Sequence, residues 1–199
     1  KNKKAAFMTP DYTYGHTVTK SVNDFLSKNA GWTMVTNQVS KLGTQDFSQF
    51  ITNIANSGAE VIINVNWGRD AVLSIQQAKQ FGLTPKMKMV VPYQIPFLAK
   101  ETGPELTEGV YAATDFWGTL EDKYPLAKMF VTAFDKKYGY KPEWGANNAY
   151  MQFAIWARMV SEAGSFYPPD VIKTYEKGEK FDSTVGQVHF RPEDHQLVR

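Results

Sequence analysis

Between residues 4 and 113, short apolar runs alternate with stretches whose apolar residues recur at helical spacing, and this alternation limits the fold more than any other feature of the chain. Residues 4–9 (KAAFMT), 32–40, 60–66 (EVIINVN), 87–91 and 109–113 read as strands. Val18, Val22, Phe25 and Leu26 mark a helix after the first, ended at 29–31. Phe47, Phe50, Ile51, Ile54 and Ala55 mark a second, stopped at Ser57-Gly58, and Val72, Ile75 and Ala78 a third, stopped at Gly82. The pattern is β-α-β-α-β-α-β-β. Strands separated by such helices cannot pair as hairpins, so they are predicted to form a parallel sheet. Right-handed crossovers then place helices on both faces, giving an α/β fold with a doubly wound, mostly parallel sheet.

After Thr114 two long helical segments follow without an intervening strand. Leu126, Met129, Phe130, Ala133 and Phe134 form one apolar stripe; Ala149, Phe153, Trp156 and Val160 form another, backed by Tyr150, Ala154 and Ala157. A short helix from 168 to about 177 and a strand over 184–190 complete the reading. Helices this apolar need a sheet to cover. If that sheet lies elsewhere, they are expected to expose a large apolar patch or to bury it in a second copy.

Composition narrows the function. With 43% apolar and 14% aromatic residues the chain is not of the disordered class. A net charge of +2, from 22 basic and 20 acidic residues, gives no electrostatic case for nucleic acid or an anionic membrane, and the only basic cluster lies at 1–4. No apolar run approaches the roughly 20 residues needed to span a bilayer. The absence of cysteine excludes disulfides, thiol catalysis and cysteine-based zinc sites. No GxxxxGK[ST] occurs, and the first βα turn, PDYTYGHT, lacks dinucleotide-type glycine spacing, so no nucleotide cofactor is expected. His16, His189 and His195 are too scattered for a metal pair, and there is no GxSxG elbow. His16 with Asp11 would make a base and its orienter, but a solvated position in the first helical turn is the simpler reading. Glu193 and Asp194 read as a solvated turn with Arg191. The chain reads as a binder and not an enzyme, with no cofactor.

In open parallel sheets ligands bind beyond the carboxyl ends of the strands. Four segments lie there: 11–15 (DYTYG), 64–70 (NVNWGRD), 92–96 (PYQIP) and 114–118 (TDFWG). Each sets aromatic residues beside hydrogen-bonding groups, the usual lining of a small-molecule pocket. The candidate ligand residues are Tyr12, Tyr14, Trp67, Arg69, Tyr93, Gln94 and Trp117.

The run KAAFMTPDYTYGHTVTKSVNDFL, followed by TQDFSQFITNIANSGAEVIINVNWGRDAVLSIQQAKQFGL, YPLAKMFVTAFDKKYGYKPEWGANNAYMQFAIWARMVSEAG and VGQVHFRPEDHQLVR, resembles type I periplasmic solute-binding proteins, the branched-chain amino acid group of ABC importers. The resemblance covers nearly the whole chain and implies a second-lobe, C-terminal fragment of a bilobed protein. It assigns 1–113 to the ligand-binding lobe, 114–118 to a hinge crossing, 119–182 to helices that cover the other lobe's sheet, and 183–199 to a truncated return. The first lobe and a leader peptide are expected before Lys1, and a closing strand after Arg199. Tyr14 and Trp67 match positions that face ligand in the family. Amino-acid-binding members place a carboxylate near 92–94 for the ligand's ammonium, where this chain has Tyr93 and Gln94, so the resemblance implies an aromatic or other small organic acid, with Arg69 as a further contact. It also implies a membrane permease as partner and a periplasmic location, or a lipid-anchored extracytoplasmic one in a single-membrane bacterium. A ligand-sensing receptor of the same fold is the alternative role.

Overall fold

The computed structural model describes residues 3–84, 86–93 and 101–199, which form two compact units, Lys1–Thr114 and Asp115–Arg199. The first is built on five strands: β1 (Lys4–Pro10), β2 (Thr33–Ser40), β3 (Val61–Asn64), β4 (Lys88–Val91) and β5 (Val110–Ala112). They pair in the order β2-β1-β3-β4-β5, all parallel. Helices α1 (Thr13–Phe25), α2 (Ser48–Ala55) and α3 (Gly68–Gln80) make the first three crossovers, and α1 runs on through a π-helical turn, Leu26–Ala30. The last two strands do not follow one another directly: a four-residue helix, α4 (Pro104–Thr107), lies between them, and they too are parallel.

The sheet's two faces can be read from period-2 alternation along its central strands. Ala5 and Phe7 of β1, with Ile63 and Val65, pack against Tyr14, Val18, Val22 and Leu26 of the first helical segment. Ala6 and Met8, with Ile62, Met89 and Val91, pack against Phe47, Ile51 and Ile54 on one side and Ile75 and Ala78 of α3 on the other. Helix α1 therefore covers one face and helices α2 and α3 the opposite one. This is the doubly wound arrangement the alternation predicts.

The second unit carries a 3₁₀ turn (Gly118–Asp122), α5 (Pro125–Tyr138), α6 (Trp144–Ala163) and α7 (Pro168–Tyr175), then an antiparallel sheet of β6 (Phe181–Ser183), β7 (Gly186–Phe190) and β8 (Leu197–Val198). The expected strand over 184–190 is thus half of a hairpin. Ser183 makes its turn: the hydroxyl donates to the Gly186 carbonyl at 2.6 Å and accepts the Val185 N–H at 3.1 Å.

The stripes expected on the two long helices are only partly those that pack. On α6 the buried face is Asn147, Met151, Ile155, Met159 and Val160, set against Val171, Phe181 and Val188. Phe153 and Trp156 of the expected stripe are 74% and 47% exposed. On α5, Ala127, Phe130 and Val131 are buried while Met129 is exposed. Phe130 stacks on Tyr150 with ring centroids 4.7 Å apart.

Candidate functional site

The strand order fixes where a crevice opens. From β1 the chain passes into α1 on one face; from β3, the neighbouring strand, it passes into α3 on the other. The loops after β1 and β3 therefore diverge, which makes this the topological switch point of an order of this kind. Tyr12 and Trp67 lie in those loops, and Tyr14 and Arg69 in the first turns of the helices they open.

Local chemistry holds each loop. After β1 the chain turns so tightly that a Cβ on Gly15 would lie 2.0 Å from the Pro10 carbonyl oxygen, so only glycine fits. The Asp11 N–H bonds to the Ser40 carbonyl at the end of β2. Beneath it the buried Thr9 hydroxyl meets Thr19 Oγ1 at 2.7 Å and donates to Asn37 Oδ1 at 2.6 Å. Tyr12 and Tyr14 stack at 5.7 Å, with Tyr12 36% exposed and Tyr14 half-buried. Burial pushes both phenols above their ordinary pKa; for Tyr12 the Asp70 carboxylate adds to the rise, and for Tyr14 its neighbour Tyr12 does. His16 pairs with Asp11 at 2.9 Å, but both side chains are more than half exposed, which makes this an ordinary surface pair.

After β3, Gly68 takes φ 61°, turning the chain from extended Trp67 into α3. Trp67 caps the helix without a side-chain hydrogen bond and is 41% exposed, an indole held at the crevice and not in the core. Beneath it a buried relay runs from Asn66 Nδ2 to Asn64 Oδ1 (3.0 Å) and from Asn64 Nδ2 to Ser74 Oγ (2.9 Å). Asn66 Oδ1 is buried without a hydrogen-bond partner.

The structure brings Tyr12 and Tyr14 together at the turn from β1 into α1, and sets Trp67 and the exposed Arg69 at the turn from β3 into α3. Tyr93, half-buried, follows β4 at the same end of the sheet. Gln94 lies outside the described residues. Trp117 belongs to the second unit, where it precedes the 3₁₀ turn and is 50% exposed. Asp70 was not anticipated. It is 7% exposed, and its Oδ2 accepts the Gly43 N–H at 2.9 Å. A cavity of about 690 Å³ lies within the second unit, lined by Asp115, Asn148, Met151, Ile155, Tyr175 and Leu197 among others. There Asn148 Nδ2 donates to Asp115 Oδ2 at 2.7 Å, so polar groups of the lining engage one another.

A doubly wound lobe with aromatic residues at its switch point is the architecture of a small-molecule-binding module. Similarity to known proteins makes this specific. The chain belongs to the periplasmic binding protein family, whose model matches residues 1–199. It is 30% identical over 148 residues to the Leu/Ile/Val-binding protein homolog 7 of Brucella abortus (strain 2308), a match covering 73% of this chain and 37% of that protein. The chain therefore spans well under two thirds of that relative. Among solved structures it resembles the amino acid ABC transporter substrate-binding protein of Pseudomonas fluorescens Pf-5, with TM-score 0.89 and 24% identity over 100% of this chain and 52% of that one. It also resembles an ABC-transporter solute-binding protein of Rhodopseudomonas palustris BisB5 in complex with 3,4-dihydroxy benzoic acid, with TM-score 0.74 and 18% identity over 100% of this chain and 54% of that one. The fold is that of type I periplasmic binding proteins. Among the described residues no helix is long and apolar enough to cross a membrane.

Proposed function

We propose that this chain is the second-lobe part of an extracytoplasmic solute-binding component of an ABC importer, which captures a small organic ligand and delivers it to a membrane permease without transforming it. Residues 1–113 form the ligand-binding lobe and 114–118 a hinge crossing. Helices α5 and α6 cover the sheet of a first lobe, and 183–199 return toward the second. Closure of two lobes on a ligand that contacts both shifts an open–closed equilibrium toward the form a permease reads.

The ligand is an aromatic or other small organic acid in preference to a branched-chain amino acid. The observation that carries this reading is the half-exposed Trp67 on the loop beside the stacked Tyr12–Tyr14 pair: flat, apolar walls with few polar groups suit a planar ring. Tyr93, after β4, completes the lining proposed within this unit. Arg69 and the start of α1, which has no acidic residue in its first turn, favour the ligand's carboxylate. The neighbour holding 3,4-dihydroxy benzoic acid supports an aromatic acid, whereas the neighbours named for amino acids favour the competing class. Titration calorimetry of the intact protein with benzoates and with leucine, isoleucine and valine tests it. Micromolar or tighter binding of a benzoate is expected. Tight binding of the aliphatic amino acids with no heat from any aromatic acid would overturn it.

A further inference from the structure

Asp70 is the most deeply buried ionisable side chain at the crevice, and its surroundings leave half of it uncommitted. It sits in the first turn of α3, where the positive end of the helix favours a carboxylate. Its Oδ2 takes the Gly43 N–H, tying down the loop after β2. No other hydrogen bond reaches it, and no Lys, Arg or His lies within ion-pair distance among the described residues. Its charge also reaches the Tyr12 phenol and helps raise the pKa there. The loop after β2 and the start of α3 thus meet at one carboxylate, whose second oxygen accepts no hydrogen bond from the described residues and stays open to solvent. Four residues back, Asn66 Oδ1 is by contrast shut off from solvent and without a partner. A ligand that covers the open Asp70 oxygen strips it of water, which is costly unless the ligand brings a donor of its own.

We propose that Asp70 is the polar anchor of the crevice: its free oxygen accepts a hydrogen bond from a donor group on the bound molecule, a phenolic hydroxyl or an ammonium, so the site selects donor-bearing aromatic acids over their bare counterparts. This rests on the aromatic-ligand reading above and adds its specificity. It also changes the sequence-based argument against an ammonium, since an acid is present, on the loop after β3 and not the one after β4. A pocket built around an acceptor rejects the analogue that leaves it unpaired.

The test is titration calorimetry of the intact protein and its Asp70→Asn variant with two pairs of probes: benzoate with 3,4-dihydroxybenzoate, and 3-phenylpropionate with L-phenylalanine. Asparagine keeps an acceptor for the Gly43 N–H but removes the charge. The donor-bearing member of at least one pair is expected to bind the wild type about ten- to a hundredfold more tightly, the size of a hydrogen bond to a charged group. In Asp70→Asn that ratio falls to within about threefold, with an unchanged thermal midpoint confirming that the loop clamp is intact. A preference confined to phenylalanine keeps Asp70 as the anchor and replaces the organic acid with an amino acid. Equal affinities within both pairs, or a ratio that survives in Asp70→Asn, overturn the anchor and leave the aromatic pocket standing. Failure of all four probes overturns the aromatic reading and the anchor with it.

Discussion

In the first unit both faces of the central sheet are closed by helices of the same unit, and Ala5, Ala6, Phe7 and Met8 of β1 are all shut off from solvent. In the second, α6 buries Met151, Ile155 and Met159 against its own small sheet yet leaves Phe153 and Trp156 on the surface. The first unit has the layered core of an independent domain; Tyr12 and Trp67 are exposed beyond its strand ends, and Phe25, Phe81 and Tyr111 elsewhere on its surface. The second has one satisfied face and one on which Phe153 and Trp156 stand uncovered beside Arg158 and Glu162. This difference separates stability from function. Side chains that close the first unit's core hold the fold, whereas Tyr12 and Trp67, exposed beyond the strand ends, are free to serve a ligand.

The largest effect should come from within that closed sheet. Phe7 is fully buried on the α1 face, and Phe7→Ala is expected to cost about 3–5 kcal/mol, as for other buried aromatics cut to alanine. Urea denaturation followed by circular dichroism measures it. A loss below about 1 kcal/mol would mean that the first unit's core is far looser than its burial implies.

Next comes the turn that shapes the crevice. Gly15→Ala forces a methyl group to within 2.0 Å of the Pro10 carbonyl, a backbone atom that cannot swing aside. Overpacking of this kind costs about 1–3 kcal/mol, and because the displaced segment carries Tyr12 and Tyr14, ligand affinity should fall as well. Loss of affinity with full stability would show instead that the turn opens freely.

These two positions also show what the sequence reveals and what it hides. The first unit was legible because its strands other than the polar β2 are short apolar runs and each long helix a single-faced stripe, both local patterns. The loops at the strand ends were legible for the same reason: Trp67 and Tyr14 are conspicuous in polar surroundings. The switch point was not, since strand order depends on which neighbour each strand meets, and nothing local to β1 or β3 encodes it. Asp70 read as an ordinary helix-start acid. Its carboxylate is tied to the Gly43 N–H, 27 residues away. On α6 apolar residues occupy nearly every side, so spacing alone could not say whether Met151 and Ile155 or Phe153 and Trp156 face inward. Strands as short as Phe181–Ser183 and Leu197–Val198 carry no measurable period.

A smaller effect is expected where exposure serves binding. Trp67→Ala removes a wall of the proposed pocket, and affinity for a benzoate in the intact protein should drop about tenfold or more, the usual loss for a buried aromatic anchor. Stability should move by less than about 0.5 kcal/mol, because the indole is 41% exposed already. Titration calorimetry beside a thermal melt separates the two. A fall in melting temperature with unchanged affinity would return Trp67 to the role of a packing residue.

The smallest effect on stability belongs to the uncovered face of α6, and it breaks the comparison between the units most directly. In this chain alone Phe153→Ser and Trp156→Ser remove side chains with few neighbours, so the change in unfolding free energy should stay within about 0.5 kcal/mol, while light scattering should show less self-association. In a protein that also contains the first lobe the same substitutions would strip aromatics from a buried layer, at a cost of about 3–5 kcal/mol. Equal, negligible costs in both forms would mean that the α6 face is ordinary surface. The covering role proposed for this helix would then fail, even with the ligand-binding lobe unaffected.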